Sequence, residues 1–567
     1  MDSRNDNVPT PRFSRRQWVG FALPLAAASA GSGLLAARAA AEETPAADAA
    51  GNLAGARVYN VRDFGAKGDG TALDTAAVQA AIDAANRDGG GKVLVPAGDF
   101  RIGTIELKSN VTLHLSARGR LLGSEKIEDY HPGTGIPSGN GNIVLLYAAN
   151  AENLAIEGTG IIDGQGAKFL PGAKDDGERD PGRPRAHLLI FFQCKNLRLR
   201  NAFFRNSSYH CCRILRSSFV FIDGVRIHNR VIFNNDGFHL NTCEHVRISN
   251  CDVVCEDDAC ALFGSNRNIA VTNCTFSTRW SIFRFGGGTC DGITVSNCVI
   301  YDTFGCPIKM QVRSGDRMEN MVFSNLVMVN VTGPVYIGLG SSPRNSLNPN
   351  ETRPGGIVRN IAFRNIQATV AAKPDLTDFP YLPGTPISDI YPGEHHTCIS
   401  LTSVPGQFIE NVTLSGVHVT FAGGGTAAEA ALRDVPQVSG GEYFACGVLP
   451  AYGIFARNVC GLTLDDVRLA VSTPDLRPAV VLDHVSDAAV NGLSAQGNAG
   501  AESLLRFIDS RDVLLTALRV LTPASVLLQV DGDGCEAVTV DGGDISRAAK
   551  PLDFRNGARK DSVKIRA

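Results

Sequence analysis

The sequence predicts an all-β fold, a right-handed parallel β-helix whose amino-terminal end is closed by a short helical cap. A short phrase recurs along the chain, in which a turn residue precedes alternating apolar positions. His245, Asn268, Gly292 and Asn320 begin successive units, which are 23, 24 and 28 residues apart. Alternation with period two inside such a unit indicates stacked parallel strands, whereas the longer repeat of a propeller blade is missing. A sandwich or propeller is therefore the weaker alternative.

The composition agrees with this fold. The chain has 60 glycines, which suit the tight turns between strands, and long helix-favouring runs are scarce. Asparagine recurs at one position of the repeat, and the side-chain amides at this position are predicted to stack in a ladder at a bend. These residues are Asn201, Asn250, Asn273, Asn297, Asn325 and Asn365. The ladder is structural, and no catalytic role is assigned to it.

The first part of the domain has a different pattern, which predicts the cap. Val58-Tyr-Asn-Val and Lys92-Val-Leu-Val-Pro are strand-like, and the spacing of Val78, Ala81, Ile82 and Ala85 predicts a helix over Asp74–Asn86. The predicted plan is a signal segment at 1–41, a linker at 42–57 and one β-helix domain at 58–567, which includes the cap region 58–115 and weaker coils at 440–567.

The amino terminus is predicted to be a twin-arginine export signal. Ser14-Arg15-Arg16-Gln17-Trp18 precedes a weakly apolar run from about Val19 to Leu35, which is followed by the small residues Ala39-Ala40-Ala41. The alternative is a transmembrane anchor, but Gly, Ser and Pro interrupt the apolar run, whereas a spanning helix needs about 20 predominantly apolar residues. The protein is therefore expected in the periplasm or outside the cell, with no membrane association after cleavage.

Charge and cysteine content argue against a nucleic-acid-binding protein and against a zinc site. The formal net charge is −3, and removal of residues 1–41 takes away five arginines and two aspartates, which leaves −6. No basic surface for nucleic acid is implied. Cys251, Cys274 and Cys298 occupy one position of the repeat, so the fifteen cysteines are predicted to be core thiols that pack as small apolar residues. A Cys/His quartet with zinc-site spacing is not recognised, and neither a metal nor another cofactor is expected.

Two acidic phrases form the candidate active site. Asn234-Asn235-Asp236-Gly237 is followed by Glu256-Asp257-Asp258, and Asp236 and Asp257 are 21 positions apart, about one coil of the repeat. Hydrolysis of a glycosidic bond needs one carboxylic acid to protonate the leaving oxygen and one carboxylate to activate water. The alternative is that these aspartates have only a structural role, in Asx-turns at the corners of the coils.

Two further phrases, together with the two acidic phrases, carry a family resemblance. The phrase from Val58 to Thr71, VYNVRDFGAKGDGT, resembles the opening of many pectin-active β-helix enzymes, and Gly158-Thr-Gly-Ile-Ile-Asp-Gly-Gln-Gly resembles their next signature. Over most of residues 58–370 the chain resembles glycoside hydrolase family 28, the polygalacturonase family, whose Asn-Thr-Asp and Gly-Asp-Asp motifs match the two acidic phrases. The resemblance implies that Asp257 is the general acid, and that Asp236 and Asp258 activate water for single-step inversion.

The chain departs from the family at three motifs. Glu256 replaces a glycine, Ser277-Thr278-Arg279 stands about where the family has Gly-His-Gly, and Pro307-Ile308-Lys309 stands where it has Arg-Ile-Lys. Asn206-Ser-Ser-Tyr-His resembles the family's Asn-Ser-Pro-x-Trp phrase. Trp280 is a candidate for stacking on a sugar or for the core. The candidate substrate-binding residues are Lys309, His239, His210, Arg279, Arg284 and Asn234.

The sequence therefore predicts an exported glycosidase that acts on a pectin-like polysaccharide or oligosaccharide by inverting acid and base catalysis. The changed motifs favour a substrate other than plain polygalacturonate. One alternative is a polysaccharide lyase on the same fold, in which aspartate-bound calcium acidifies a uronate C5 proton. The other alternative is a carbohydrate-binding β-helix without catalysis, because fold alone does not confer chemistry. The linkage, endo or exo action and oligomeric state are left open.

Overall fold

Short strands with alternating apolar residues stack one coil upon the next along the whole described chain. In the first sheet, one inward-facing row runs Val220, Val246, Ile269, Ile293 and Met321, each paired in register with the next. All five side chains are buried, so each coil adds one apolar layer to a continuous core. The predicted right-handed parallel β-helix with its helical cap is confirmed.

The computed structural model describes most of the chain beyond residue 55. The described residues are 56–137, 142–169, 184–232, 234–343, 355–372, 394–437 and 446–566, and they all belong to one unit, Leu53–Ala567. The predicted signal segment and nearly all of the predicted linker lie outside them. A search of the described helices finds no segment long and apolar enough to cross a membrane.

The longest strands lie in the second half of the chain. In chain order, the first half contains β1 (Val58–Asn60), β2 (Asp69–Leu73), β3 (Gly91–Val95), β4 (Gly98–Ile102), β5 (Ile105–Glu106), β6 (Val111–Leu115), β7 (Gly119–Gly123), β8 (His131–Pro132), β9 (Ile143–Ala149), β10 (Glu152–Gly158), β11 (Ile161–Asp163), β12 (His187–Phe192), β13 (Lys195–Arg200), β14 (Phe203–Arg205), β15 (Cys212–Leu215), β16 (Ser218–Asp223), β17 (Arg226–Asn229), β18 (Phe238–Asn241), β19 (Glu244–Ser249), β20 (Asp252–Cys255) and β21 (Cys260–Phe263).

The second half contains β22 (Asn266–Thr272), β23 (Thr275–Thr278), β24 (Phe283–Gly286), β25 (Thr289–Thr303), β26 (Ile308–Ser314), β27 (Arg317–Val331), β28 (Val335–Pro343), β29 (Ile357–Val370), β30 (Ile399–Ser403), β31 (Ile409–Gly423), β32 (Ile454–Arg457), β33 (Val459–Thr473), β34 (Val480–Asp483), β35 (Ser486–Asn491), β36 (Ser494–Ala495), β37 (Leu505–Ile508), β38 (Arg511–Val520), β39 (Ala524–Asp531), β40 (Glu536–Asp544), β41 (Ala548–Arg555) and β42 (Val563–Arg566).

The strands of the described ranges form two large sheets. The second sheet has 16 strands, namely β5, β8, β9, β12, β15, β18, β21, β24, β26, β28, β30, β32, β34, β37, β39 and β41, and the other 26 strands form the first sheet. Pairing between coils is parallel, and the short β8 pairs with β9 in the antiparallel direction. The second sheet matters for function because β15, β18, β21, β24 and β26 carry the candidate site.

Among the residues that the structure describes, helical structure is confined to short elements. The helices are α1 (Thr75–Arg87) and α2 (Ala427–Ala430), and 3₁₀ turns occupy Val61–Phe64, Ile127–Asp129, Gly166–Phe169, Glu394–His396 and Lys560–Ser562. The predicted residues Val78, Ala81, Ile82 and Ala85 form the buried face of α1, which packs on the first strands of the solenoid. This helix covers apolar surface that a preceding coil would otherwise bury.

The predicted asparagine ladder is present at a bend. All six asparagines have a positive φ, a conformation that asparagine tolerates better than most residues. The Asn325 amide donates to Asn297 at 2.9 Å, and the Asn365 amide donates to Asn325 at 2.8 Å. The cysteine prediction is also confirmed, because all fifteen are free thiols and only Cys460 is not buried.

Candidate active site

Register in the second sheet brings the predicted acids onto neighbouring coils. Phe238 pairs with Cys260 in the parallel ladder between β18 and β21, and the Gly237 amide donates to the Asp258 carbonyl at 2.9 Å. Asp236 and Asp258 therefore occupy equivalent positions, each two residues before its strand. Neighbouring strands in a sheet lie about 4.8 Å apart, so the two carboxylates share one site.

The same register repeats over five coils and sets a second row three residues further on. The first row consists of His210, Asp236, Asp258, Ser281 and Cys306. The second row consists of Arg213, His239, Ala261, Arg284 and Lys309, which are register partners on successive coils. The second row thus carries a histidine beside the acids and basic side chains on both sides of them. Sequence reasoning missed Arg213, although its spacing from His210 equals that of His239 from Asp236.

Asp236 lies at the floor of the site. It is almost fully buried, and its Oδ2 lies 2.6 Å from Nδ1 of His239 and 3.8 Å from Nε2 of His210. Burial and the negative charges of Asp257 and Asp258 raise the pKa of Asp236 well above its ordinary value. Burial also lowers the pKa of His239 to about 3, so His239 is neutral and one proton lies between it and Asp236.

Asp257 is the most exposed acid of the two phrases and lies at the rim. Its Oδ2 accepts a hydrogen bond from the Asn234 amide at 3.1 Å, and Asn234 in turn accepts one from Arg185 at 3.0 Å. The predicted residue Asn234, with a φ of 60°, therefore orients an acid. Arg185 was not predicted from the sequence, because no spacing links it to the acidic phrases.

Asn235, which stands between Asn234 and Asp236, has a structural role. It is fully buried, its Oδ1 accepts hydrogen bonds from the Val231 and Ile232 amides, and its Nδ2 donates to the Ser207 and Tyr209 carbonyls. These four bonds fix the turn that carries Asp236. Glu256, which replaces the glycine of the resemblance, is also buried beside the acids, and its charge contributes to the raised pKa of Asp236.

The carboxyl-terminal side of the acids carries two buried cations. Arg284 Nε lies 3.8 Å from Oδ2 of Asp258, and its guanidinium lies 5.7 Å from the centre of the Phe263 ring. Lys309 is the register partner of Arg284 one coil later, is fully buried, and points its ammonium to 4.7 Å from the Trp280 ring. Lys309 is therefore not a solvated surface lysine.

Arg279 and Trp280 lie in the turn between β23 and β24, and both are half-buried at the rim. The turn is tied to the acids because the Thr278 hydroxyl donates to the Asp257 carbonyl. Trp280 is therefore not a core residue, and one of its ring faces carries the Lys309 ammonium. The structure brings Arg279 to the same rim as Asp257.

His210 lies in a stack of aromatic rings. Its ring is 4.6 Å from that of His239 at an interplanar angle of 16°, and it also contacts Tyr209 at 4.3 Å and His187 at 5.0 Å. Burial and the neighbouring His239, His187, Arg213 and Arg185 keep the pKa of His210 well below its usual value. The ring is therefore neutral, and it borders both Asp236 and the rim.

His210, Asp236 and His239 also form the one described group of side chains that approaches the composition of a metal site, with ligand atoms within 4.8 Å of one another. Their geometry suits hydrogen bonding better. Two nearly parallel imidazoles cannot both aim an in-plane lone pair at one ion, and a 2.6 Å contact between Asp236 and His239 leaves little room for metal bonds of about 2.0–2.2 Å.

Comparison with known proteins identifies relatives over much of the chain. The family model "Glycosyl hydrolases family 28" matches residues 88–381, just over half of the sequence and all of the acids described above. The exo-poly-α-D-galacturonosidase of Dickeya chrysanthemi is 40% identical over 131 residues, which are 21% of this chain and 21% of that protein. The exopolygalacturonase of Platanus acerifolia is 26% identical over 377 residues, 65% of this chain and 96% of that protein.

A solved structure agrees with the fold. The hyperthermoactive exopolygalacturonase of Thermotoga maritima superposes with a TM-score of 0.56 and 19% identity, over 73% of this chain and 92% of that chain. At this identity the likeness supports the architecture alone.

Proposed function

Since the chain belongs to glycosyl hydrolase family 28 and is therefore a glycosidase, we propose that it cleaves a pectin-like, uronate-containing polysaccharide or oligosaccharide by single-step inversion. The observation that carries the proposal is the placement of Asp236 and Asp258 on neighbouring coils, with Asp257 at the rim above them and buried cations beside them.

Asp257 acts as the general acid in this proposal. Carboxyl groups that share one site repel one another when they are ionised and exchange protons as a group, which favours a shared proton in the resting enzyme. Asp257 is the member that a substrate at the rim reaches first, and Asn234 fixes its carboxyl orientation. It gives its proton to the glycosidic oxygen as the bond from that oxygen to the anomeric carbon breaks.

Asp236 and Asp258 act as the base. A water molecule attacks the anomeric carbon from the face opposite to the leaving oxygen, and one of these carboxylates takes the proton that the water loses. Asp236 needs its negative charge for this step. When the shared proton is on Nδ1 of His239, the histidine donates a hydrogen bond to Oδ2 of Asp236. Such a bond favours the ionised form of the carboxyl group.

The cations on the carboxyl-terminal side support an acidic sugar. Arg284 and Lys309 are both buried beside the acids, and guanidinium and ammonium groups bind carboxylates through charge-assisted hydrogen bonds. A uronate carboxylate meets them at this position. Pro307 stands at the place of the arginine in the family's Arg-Ile-Lys motif. Arg284, one coil away from Lys309, supplies a cation in its stead. The exposed part of the Trp280 ring is available to stack on a sugar face.

The protein is proposed to act in the periplasm or outside the cell, after export of the folded chain by its twin-arginine signal. Folding before export agrees with a core of free, buried thiols, because thiols stay reduced in the cytosol. Detection of the mature protein in the periplasmic or culture fraction tests this.

Product analysis on a panel of pectic polysaccharides and oligosaccharides tests the proposed reaction. The purified protein is expected to release saturated sugars at the same rate with and without a chelator. Unsaturated products that disappear in chelator would instead indicate the lyase alternative, in which calcium acidifies the C5 proton. The absence of products on every substrate would favour the binding-protein alternative.

His239→Ala is expected to move the acidic limb of the pH profile of kcat/KM to higher pH by about one unit. The neutral histidine donates to the Asp236 carboxylate, and a hydrogen bond to a charged group contributes about 1.5–3 kcal/mol, where one pKa unit equals about 1.4 kcal/mol. Loss of the bond raises the pKa of Asp236, so the base becomes protonated at a higher pH. His418→Ala, on the first sheet, is the control and should leave the limb in place. An unchanged limb in His239→Ala would exclude this role.

A further inference from the structure

The outer corner between the second sheet and the first carries a pair of exposed aromatic rings. Phe219 and His245 lie on neighbouring coils, their ring centres are 4.9 Å apart, and their planes are inclined by 15°. Neither ring belongs to the candidate active site. We propose that this pair, the corner platform, binds a second stretch of an acidic polysaccharide together with the arginines beside it. The chemical class of the ligand rests on the proposed function, whereas the existence of the site does not.

The platform is an exception in the repeat. On the coils before and after it, the same position holds residues that tolerate a positive φ, namely Asn153, Asn196, Asn268, Gly292, Asn320 and Asn360. The Asn196 amide donates to Asn153 at 2.8 Å, and the Asn360 amide donates to Asn320 at 3.1 Å. Phe219 and His245 adopt the same conformation, with φ of 55° and 54°, which is strained for the bulky Phe219. These two coils therefore replace an amide ladder by a strained aromatic pair.

The ring pair is open to solvent. Phe219 is 43% exposed and His245 is also exposed, so the rings do not complete the core. Their spacing equals about one coil, and the stack therefore runs along the solenoid. The outer face of the Phe219 ring lies toward the coil of Asn196, whose side chain is shorter. A sugar over Asn196 stacks on this face, because aromatic rings offer a large apolar surface with a preferred stacking geometry.

Two arginines beside the platform have no counter-ion of their own. Arg198, Phe221 and Arg247 form the neighbouring outward row on three successive coils, and the Arg198 guanidinium lies 5.7 Å from the centre of the Phe221 ring. The row continues with Ala155 on one side and Ala270 on the other. Within the described part of the chain, no carboxylate oxygen lies within 4.0 Å of either guanidinium.

Several other arginines of the first sheet are paired with acids. Arg226 lies 3.7 Å from Asp252, and both Arg317 and Arg359 contact Glu319. An exposed arginine needs no partner, so the two arginines alone do not indicate a site. Their place beside strained and exposed rings does, because a uronate that stacks on the platform brings its carboxylate to a guanidinium, whose planar donors match it.

The platform lies on the coils that carry the amino-terminal part of the active site. Asp236 and His245 are nine residues apart on one coil, and β18 lies between them. The four residues of this strand alone extend about 13 Å, and the corner lies beyond them. A short oligosaccharide in the active site therefore does not reach the platform, whereas a polymer contacts both. Binding at the platform raises the effective concentration of long chains at the acids.

Asparagine at both positions tests the platform, because neighbouring coils hold this residue there. Phe219→Asn combined with His245→Asn is expected to fold, with a denaturant midpoint at or above the wild-type value, since the strain is removed. On a pectic polymer that the protein cleaves, kcat/KM should fall about tenfold, and on a short pectic oligosaccharide it should stay within about twofold. A lower midpoint with both rates unchanged would show that the ring pair is structural and would overturn the proposal.

Arg198→Gln tests the acidic ligand by gel retardation in polygalacturonate or in its methyl-esterified form. The measurement uses Asp257→Asn protein, which leaves the polymer intact. Affinity for polygalacturonate should fall about twofold to fivefold, the range for an exposed charge pair, and affinity for the esterified polymer should not change. Arg364→Gln, at an exposed position of β29 on the same sheet, is the matched control. Equal losses in both polymers, or in both variants, would overturn the assignment of an acidic ligand.

Failure of the proposed function gives a different result from failure of the platform. If the wild-type protein cleaves no pectic substrate, the proposed function fails, and gel retardation in polygalacturonate decides on the platform by itself. Weaker retardation of the double asparagine variant than of the wild type supports the platform. Equal retardation of the two proteins refutes it.

Discussion

Asp257→Asn is expected to lower kcat on a cleaved pectic substrate by roughly 10²–10⁴-fold, the usual contribution of a general acid. The amide has nearly the shape of the carboxyl but has no acidic proton to give to the leaving oxygen. The half-buried position of Asp257 at the rim means that the fold does not depend on its charge. Binding of the substrate should therefore persist, and the loss should appear in kcat rather than in KM.

Asp252→Asn is the matched control for this result. Asp252 lies in β20, the strand that leads to the second acidic phrase, and about half of its side chain is exposed. The control should retain wild-type turnover. A loss of less than about fivefold in Asp257→Asn would assign the general acid to another carboxyl, and Asp236→Asn and Asp258→Asn would then be compared in the same assay.

Asp475→Asn is expected to lower the free energy of unfolding by about 3–5 kcal/mol, the cost of removing one partner from a buried ion pair. The side chains of Asp475 and Arg477 are 0% and 1% exposed, and the two groups make a 2.8 Å contact. Arg477 also donates to the His396 and Leu449 carbonyls, so the pair ties segments outside the strands to the solenoid. Denaturant unfolding followed by circular dichroism measures the loss.

The loss in free energy of unfolding caused by Asp475→Asn should be smaller at acidic pH. Burial acts to raise the pKa of Asp475, but the hydrogen bonds and charge of Arg477 outweigh it, so the pKa lies below its ordinary value. The stabilisation is therefore complete above the pKa of the unfolded state and is lost as pH falls through the pKa of the folded state. Asp541→Asn is the control, because its 3.7 Å contact with Arg566 is exposed and such pairs contribute about 0–1 kcal/mol. Equal losses in both variants would contradict the argument.

The repeat made the fold predictable from the sequence. The spacing of His245, Asn268 and Gly292 marks the coils, and the alternation inside each unit gives the inward face. The same arithmetic predicted that Asp236 and Asp257 lie one coil apart, and the structure places them at one site. The asparagine positions were predictable for a local reason, since a bend with positive φ favours this residue at each coil.

The basic side of the site was less predictable. Lys309 was open to interpretation as a solvated surface lysine, because the sequence does not show that the Trp280 turn covers it. Arg185 could not be found from spacing, since its contact with Asn234 crosses 49 residues. Arg213 was detectable in principle. It stands three residues after His210, and His210 occupies on its own coil the position that Asp236 occupies on the next. His210 and His239 were predicted as sugar contacts, which stays a prediction. The structure adds that both border Asp236 and that His239 contacts it directly.

Proton NMR of the first product from an α-linked pectic oligosaccharide that the protein cleaves tests the central claim most directly. Hydrolysis by water activated at Asp236 or Asp258, opposite to a leaving oxygen protonated by Asp257, predicts a saturated product whose new reducing end first appears in the β configuration. A new reducing end that first appears in the α configuration would contradict single-step inversion. An unsaturated product would contradict hydrolysis itself.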